Sequence, residues 1–93
     1  MNGGYVLVDC TGLDLIKGST QQTIPGIRDR VINAMKTNKP IMAVNANWDG
    51  AFVSPIFVFA IEIGTDIICT ASTLQIVIAK NGKVTINNMA PQN

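Results

Sequence analysis

Apolar residues follow two rhythms along this chain, and the rhythm changes at Pro40. Before it, Ile24, Ile27, Val31, Ala34 and Met35 recur at steps of three and four, which gathers them on one stripe of a helix. Arg28, Asp29, Arg30, Asn33 and Lys36 fall off that stripe and can face solvent. Thr23 or Ile24 would cap this helix, and Pro25 would sit early in it, where a missing N–H costs nothing. Lys36 and Lys39 suit the negative end of the helix dipole, and Pro40 stops the helix. The spacing predicts one helix over roughly residues 24 to 37.

After Pro40 the pattern turns to β and remains there. IMAVNA reads as a strand, and NWDG as a turn in which Asp49 and Gly50 supply the turn chemistry. Residues 55 to 63 form the next strand, and Gly64, Thr65 and Asp66 the next turn, before a strand over IICTA. TLQIVIAK then meets KVTINNM through Asn81 and Gly82, a strong hairpin signal. Ahead of the helix, Tyr5, Val6, Leu7 and Val8 make a first strand ending at Asp9 and Cys10; the loop TGLDLIKGST follows, broken by Gly12 and Gly18. Residues 90 to 93, APQN, are expected to be loose. Strand, helix and then a run of strands predicts an α+β fold. The sheet should be mixed and mostly antiparallel, about six strands, with the helix between the first and second. If those two strands pair, the crossover should be right-handed.

Several of these strands have no polar side. In VSPIFVFAIEI, Pro55, Phe57, Phe59, Ile61 and Ile63 point one way and Ile56, Val58 and Ala60 the other. Leu74, Ile76 and Ile78 oppose Val77 and Ala79, while Ile41 and Ala43 oppose Met42 and Val44. A helix over residues 24 to 37 is only about 21 Å long, so it shields part of one sheet face. Two covers would serve the other: a sheet that curls into a barrel-like or sandwich-like form, or a second copy of the chain. Composition favours the second copy. The 93 residues, enough for a single domain over 1–93, are 47% hydrophobic and only 14% charged, against about 25% charged in a typical soluble domain. A homo-oligomer is therefore expected, a dimer or trimer, with Phe57, Phe59, Ile61, Ile76 and Ile78 at the interface. A charge placed at Phe57 or Ile76 is expected to cost several kcal/mol.

The remaining chemistry is sparse. A net charge of +1 gives no field that would draw in nucleic acid. Of the seven basic residues, Arg28, Arg30, Lys36 and Lys39 belong to the helix or its exit, Lys17 precedes it, and Lys80 and Lys83 flank the last hairpin. MNGGYVLVDC lacks the pattern of a signal peptide, and no apolar run reaches the ~18 residues of a membrane span. Synthesis in the cytoplasm without a membrane partner is the expectation. Cys10 and Cys69 lie in apolar strand patterns and are expected to be buried thiols rather than a bridge. The chain has no histidine, so the usual catalytic triads and zinc sets cannot be assembled, and no Gly-rich phosphate loop is present. An enzyme is not expected, and neither is a metal or cofactor. Asp9, Asp14, Asp49, Glu62 and Asp66 could in principle furnish an acid–base pair for glycoside cleavage. Asp14, Asp49 and Asp66, however, stand beside turns, where aspartate serves its own backbone. Asn47 and Asp49 supply too few ligands for calcium. Trp48, flanked by Asn45, Asn47 and Asp49, could stack on a sugar ring while its neighbours bond hydroxyls; otherwise it anchors a core edge or a subunit contact.

The phrases YVLVDCTGLDL, GSTQQTIPGIRDRV, KPIMAV, VSPIFVFA, ICTASTLQI and VTINNM together resemble a small domain of phage and prophage virion proteins. Such domains end head-fibre or tail-fibre proteins of phages that infect Gram-positive bacteria. The resemblance spans residues 5 to 89 and carries no catalytic residues over. It implies a virion structural protein: an oligomeric fibre or decoration module on the particle surface, with a trimer among the expected forms, meeting other virion proteins or cell-surface glycans. These 93 residues include no shaft or capsid-attachment region like that of a full fibre protein, so a free-standing decoration protein, a fragment and a prophage remnant are the expected alternatives.

Overall fold

Backbone hydrogen bonds in the computed structural model, which describes residues 4–16 and 21–88, define nine strands and one helix. In chain order these are β1 (Val6–Asp9), β2 (Gln21–Thr23), α1 (Ile27–Met35), β3 (Ile41–Val44), β4 (Asn47–Trp48), β5 (Ala51–Phe52), β6 (Ile56–Ile63), β7 (Asp66–Ala71), β8 (Leu74–Ile78) and β9 (Lys83–Asn88). Lys17, Gly18 and the tail at 90 to 93 lie outside the described residues.

Seven strands join in one sheet in the order β1-β3-β6-β7-β8-β9-β2, and β4 pairs with β5 in a small separate hairpin. The β1–β3 pair is parallel, and every other pair is antiparallel. The expected α+β class and mixed sheet are therefore present. The main sheet has seven strands rather than about six, because the polar triplet of β2 adds to β9 at the far edge.

The helix is shorter than its spacing suggested. It begins at Ile27, not near residue 24, because Thr23 is taken up in the β2–β9 ladder opposite Lys83 and Pro25 and Gly26 form a turn. Gly26 is the N-cap at φ 78, a left-handed conformation that glycine adopts without strain. A side chain here would also collide with Arg30, whose Nη1 stands 2.9 Å from where the Cβ would be. At the other end, Thr37 donates from both Oγ1 (2.6 Å) and its backbone N–H (3.1 Å) to the Ala34 carbonyl, closing the last turn three residues before Pro40. The buried stripe is Ile27, Val31 and Ala34. Arg28 and Arg30 do not simply face solvent. Arg28 donates to the Ile78 carbonyl at 3.3 Å, and Arg30 donates to the carbonyls of Asp9 (3.0 Å) and Pro25 (3.2 Å).

Register assigns the faces. The sheet curls into a half-barrel, and its inner face carries Val8, Ile41, Ala43, Ile67, Cys69, Leu74, Ile76, Ile78, Val84 and Ile86, all buried in one cluster with the α1 stripe. Leu13 and Leu15 close the inside from the loop after β1. That loop is pinned by a parallel bridge between Asp14 and Asn47, with Leu15 N–H donating to the Asn47 carbonyl and Asn47 N–H to the Leu13 carbonyl, both at 2.8 Å. Across the gap to β2, the Gln22 amide completes the seam. Its Oε1 accepts from the Asp14 N–H and its Nε2 donates to the Asp14 carbonyl, both at 2.8 Å. One side chain thus makes the pair of bonds that a neighbouring strand would make.

Ile76 and Ile78 are consequently core residues, at 6% and 1% exposure, and the expectation that they meet a second subunit is corrected. They share the inward side of β8 with Leu74, while Gln75 and Val77 point outward. Phe57, in contrast, is 58% exposed, so a charge there does not enter the interior as the two-sided pattern had suggested.

Candidate functional site

The outward side of β6 bears Phe57, Phe59, Ile61 and Ile63, all exposed, with Phe59 at 70% the most open of the four. The pleat puts them there, because their alternates Ile56, Val58 and Ala60 pack against the core. Pairing extends the apolar surface to both sides. Phe57 lies opposite Met42, which lies opposite Leu7, while Ile61 lies opposite Ile68 and that opposite Val77. Tyr5, just before β1, packs its ring edge-on to Phe57 with centroids 6.1 Å apart and planes at 85°. Toward β9 the same face turns polar, through Gln75, Thr85 and Asn87. Of the residues expected at an interface, Phe57, Phe59 and Ile61 are therefore brought together on an exposed surface. Tyr5, Leu7 and Ile63 belong to it as well. Ile63 shares the parity of Phe57 in the sequence, but Leu7 becomes a neighbour only once β1 is known to pair with β3.

A second feature adjoins this face. Trp48, 43% exposed, lines a cleft of about 420 Å³ together with Leu15, Val53, Ile56, Phe57, Leu74, Ser72 and Thr73. Trp48 pairs with Ala51 across the two-residue loop of Asp49 (φ 53) and Gly50 (φ 84), the double positive-φ geometry of a tight hairpin. The other residues expected to serve a ligand beside Trp48 do not line the cleft. Asn45 donates from Nδ2 to Asp9 Oδ1 at 2.9 Å, the Asn47 backbone holds the loop after β1, and Asp49 belongs to the turn. The polar groups at the cleft are Ser72 and Thr73, which the sequence did not single out.

Asp9 ends β1 as a hydrogen-bond node. Its Oδ1 also accepts from Thr11 Oγ1 at 2.7 Å. The bonds from Asn45 and Thr11 hold its carboxyl below the usual carboxylate range. Glu62 and Asp66 occupy neighbouring rungs of the β6–β7 ladder, opposite Ile67 and Ile63 respectively, so they point to opposite faces. Cys10 and Cys69 are buried free thiols. Burial first, and the Asp9 charge second, push Cys10 up to about 11; burial and then Cys10 push Cys69 up to about 12. Thiols so placed are not nucleophiles at neutral pH. Among the described residues no group of three or more His, Cys, Asp or Glu could hold a metal ion, and no helix is long and apolar enough to cross a membrane.

Neither a family model, nor a curated protein, nor a solved structure matches this chain.

Proposed function

We propose that this protein is a non-catalytic structural module that works as a homo-oligomer, of the kind displayed on phage virions as a fibre or decoration domain. The exposed apolar surface along β6 carries the reading: Phe57, Phe59, Ile61 and Ile63 form a continuous oily stripe on a chain that has few charges to keep it in solution. The phage assignment rests on the resemblance of the sequence phrases. Light scattering across a hundredfold range of concentration tests self-association, with a mass that is a whole multiple of the monomer expected. A chain that remains monomeric at the highest concentration would refute it. An antibody to the chain should label phage particles, and unlabelled particles would remove the virion assignment alone.

Trp48 in its cleft favours a second reading, a carbohydrate-binding module, which can coexist with the first. Indole stacking on a sugar with Ser72 and Thr73 in the same cleft is the arrangement such binding uses. A glycan array run with wild type and Trp48→Ala decides this. Binding lost in the variant supports it, and equal binding or none ends it.

A further inference from the structure

Building on the oligomeric reading, we propose that the occupant of the β6 face is a second copy of this chain, packed β6 against β6 about a two-fold axis beside Phe59. Size is the first reason. Tyr5, Leu7, Phe57, Phe59, Ile61 and Ile63 are each between 45% and 70% exposed, together roughly 700 Å² of exposed residue surface, an upper bound on the contact that lies just under the ~800 Å² each partner contributes to a standard interface.

Charge is the second reason. Six of the basic residues lie on α1, on its exit or at the β8–β9 hairpin, and among the described residues none lies on β6 or β7. The one acid on the outward side of β7 is Asp66, at the rim beside Ile63. In a two-fold interface a group next to the axis meets its own copy, so a charge there would face its own like. This surface carries none at its centre. A lipid surface would instead call for lysines and arginines flanking the apolar stripe, and the described ones are elsewhere.

Shape is the third reason. The outer side of a curled sheet is convex, and two convex sheets touch along a strip rather than over their whole faces. The most exposed oily residues run along β6, continue past Met42 to Leu7 on one side, and give way to Gln75, Thr85 and Asn87 on the other.

The test uses Phe59→Lys and Phe59→Glu, each alone and mixed in equal amounts, studied by sedimentation and circular dichroism. Phe59 is exposed, so both variants should keep the native spectrum. Wild type should be a dimer. Each variant alone should dimerise at least about a hundredfold more weakly, since a central aromatic anchor is lost and like charges meet. Mixing the two should restore a dimer containing one of each. A wild-type trimer, a dimer unaffected by either charge, or monomeric variants that fail to recover on mixing would each overturn the two-fold at β6 while leaving self-association standing. A wild-type monomer at millimolar concentration would overturn both.

Discussion

Ser72 shows what a single position costs in this fold. It occupies the first place of the two-residue loop joining Ala71 of β7 to Leu74 of β8, at φ 53. Gly64 fills the matching place in the loop from Ile63 to Asp66, at φ 62. Glycine reaches that conformation freely, and a residue with a Cβ does not. Ser72→Gly should therefore stabilise the chain by about 1 kcal/mol, seen as a higher urea midpoint with an unchanged slope; a lower midpoint would mean that the serine hydroxyl outweighs the strain. Asp9 gives a prediction whose sign follows from its bonds. Its folded carboxyl is held low by Asn45 and Thr11, so its contribution is complete above the ordinary carboxylate value of about 3.9. That contribution disappears as the pH falls through the depressed folded value. Denaturation of wild type and Asp9→Asn from neutral to strongly acid solution should show a stability gap that is constant near neutrality and closes in acid. A gap of the same size at every pH would deny Asp9 this role.

Among the elements, β2 is the one whose importance is least visible in its letters. Its sequence, Gln21, Gln22 and Thr23, is polar throughout and too short for an alternating pattern, yet it forms the sheet edge from which Gln22 grips the Asp14 backbone. Gln22→Ala should cost about 2 kcal/mol, because two half-buried backbone groups lose these partners. Gln22→Glu should cost part of that, since a carboxylate still accepts from the Asp14 N–H but cannot donate to its carbonyl. Urea denaturation ranks the three proteins, and equal stability of all three would show that the seam holds without Gln22. The strands from β6 to β9 were legible because they are apolar β-rich runs set off by turns, two of which carry Gly64 or the Asn81–Gly82 pair. That last hairpin closes through a three-residue loop, with Gly82 N–H donating to the Ala79 carbonyl and Ala79 N–H to the Lys83 carbonyl, both at 2.9 Å. The start of the helix was misread because Thr23 and Pro25 imitate a cap, when Thr23 in fact pairs across strands. β4 and β5 were hidden inside what reads as a bare turn. The candidate interface was half legible: alternation separates Phe57, Phe59, Ile61 and Ile63 from Ile56, Val58 and Ala60 without saying which set faces out, and β8 is apolar on both sides at Ile76, Val77 and Ile78. Only Gln75, which shares the side of Val77, hints at which side faces outward.

For the whole molecule, the two faces of the sheet have met their apolar load in different ways. The inner face is closed within one chain by curl, by the short α1 and by Leu13 and Leu15, so the expected shortage of cover is real but confined to the outside. This difference separates two substitutions that the sequence alone made equivalent. Ile76→Asp introduces a carboxylate into the closed face, with no partner among the core residues around it, and should cost about 3 to 5 kcal/mol, enough to leave a chain of this size largely unfolded. Phe57→Asp, on the open face, loses mainly the edge-on contact with Tyr5 and should cost the monomer no more than about 1 kcal/mol. If the proposed dimer forms, the effect of this substitution falls on association. Folding coupled to dimer formation makes the melting temperature rise with protein concentration, so wild type should melt higher when concentrated. Phe57→Asp should melt at nearly the same temperature at every concentration, near the wild-type value in dilute solution. Melting curves over a hundredfold dilution series separate the cases: unfolding of Phe57→Asp at all concentrations would mean that the outer face supports the monomer itself, and a concentration dependence equal to wild type would remove Phe57 from the contact.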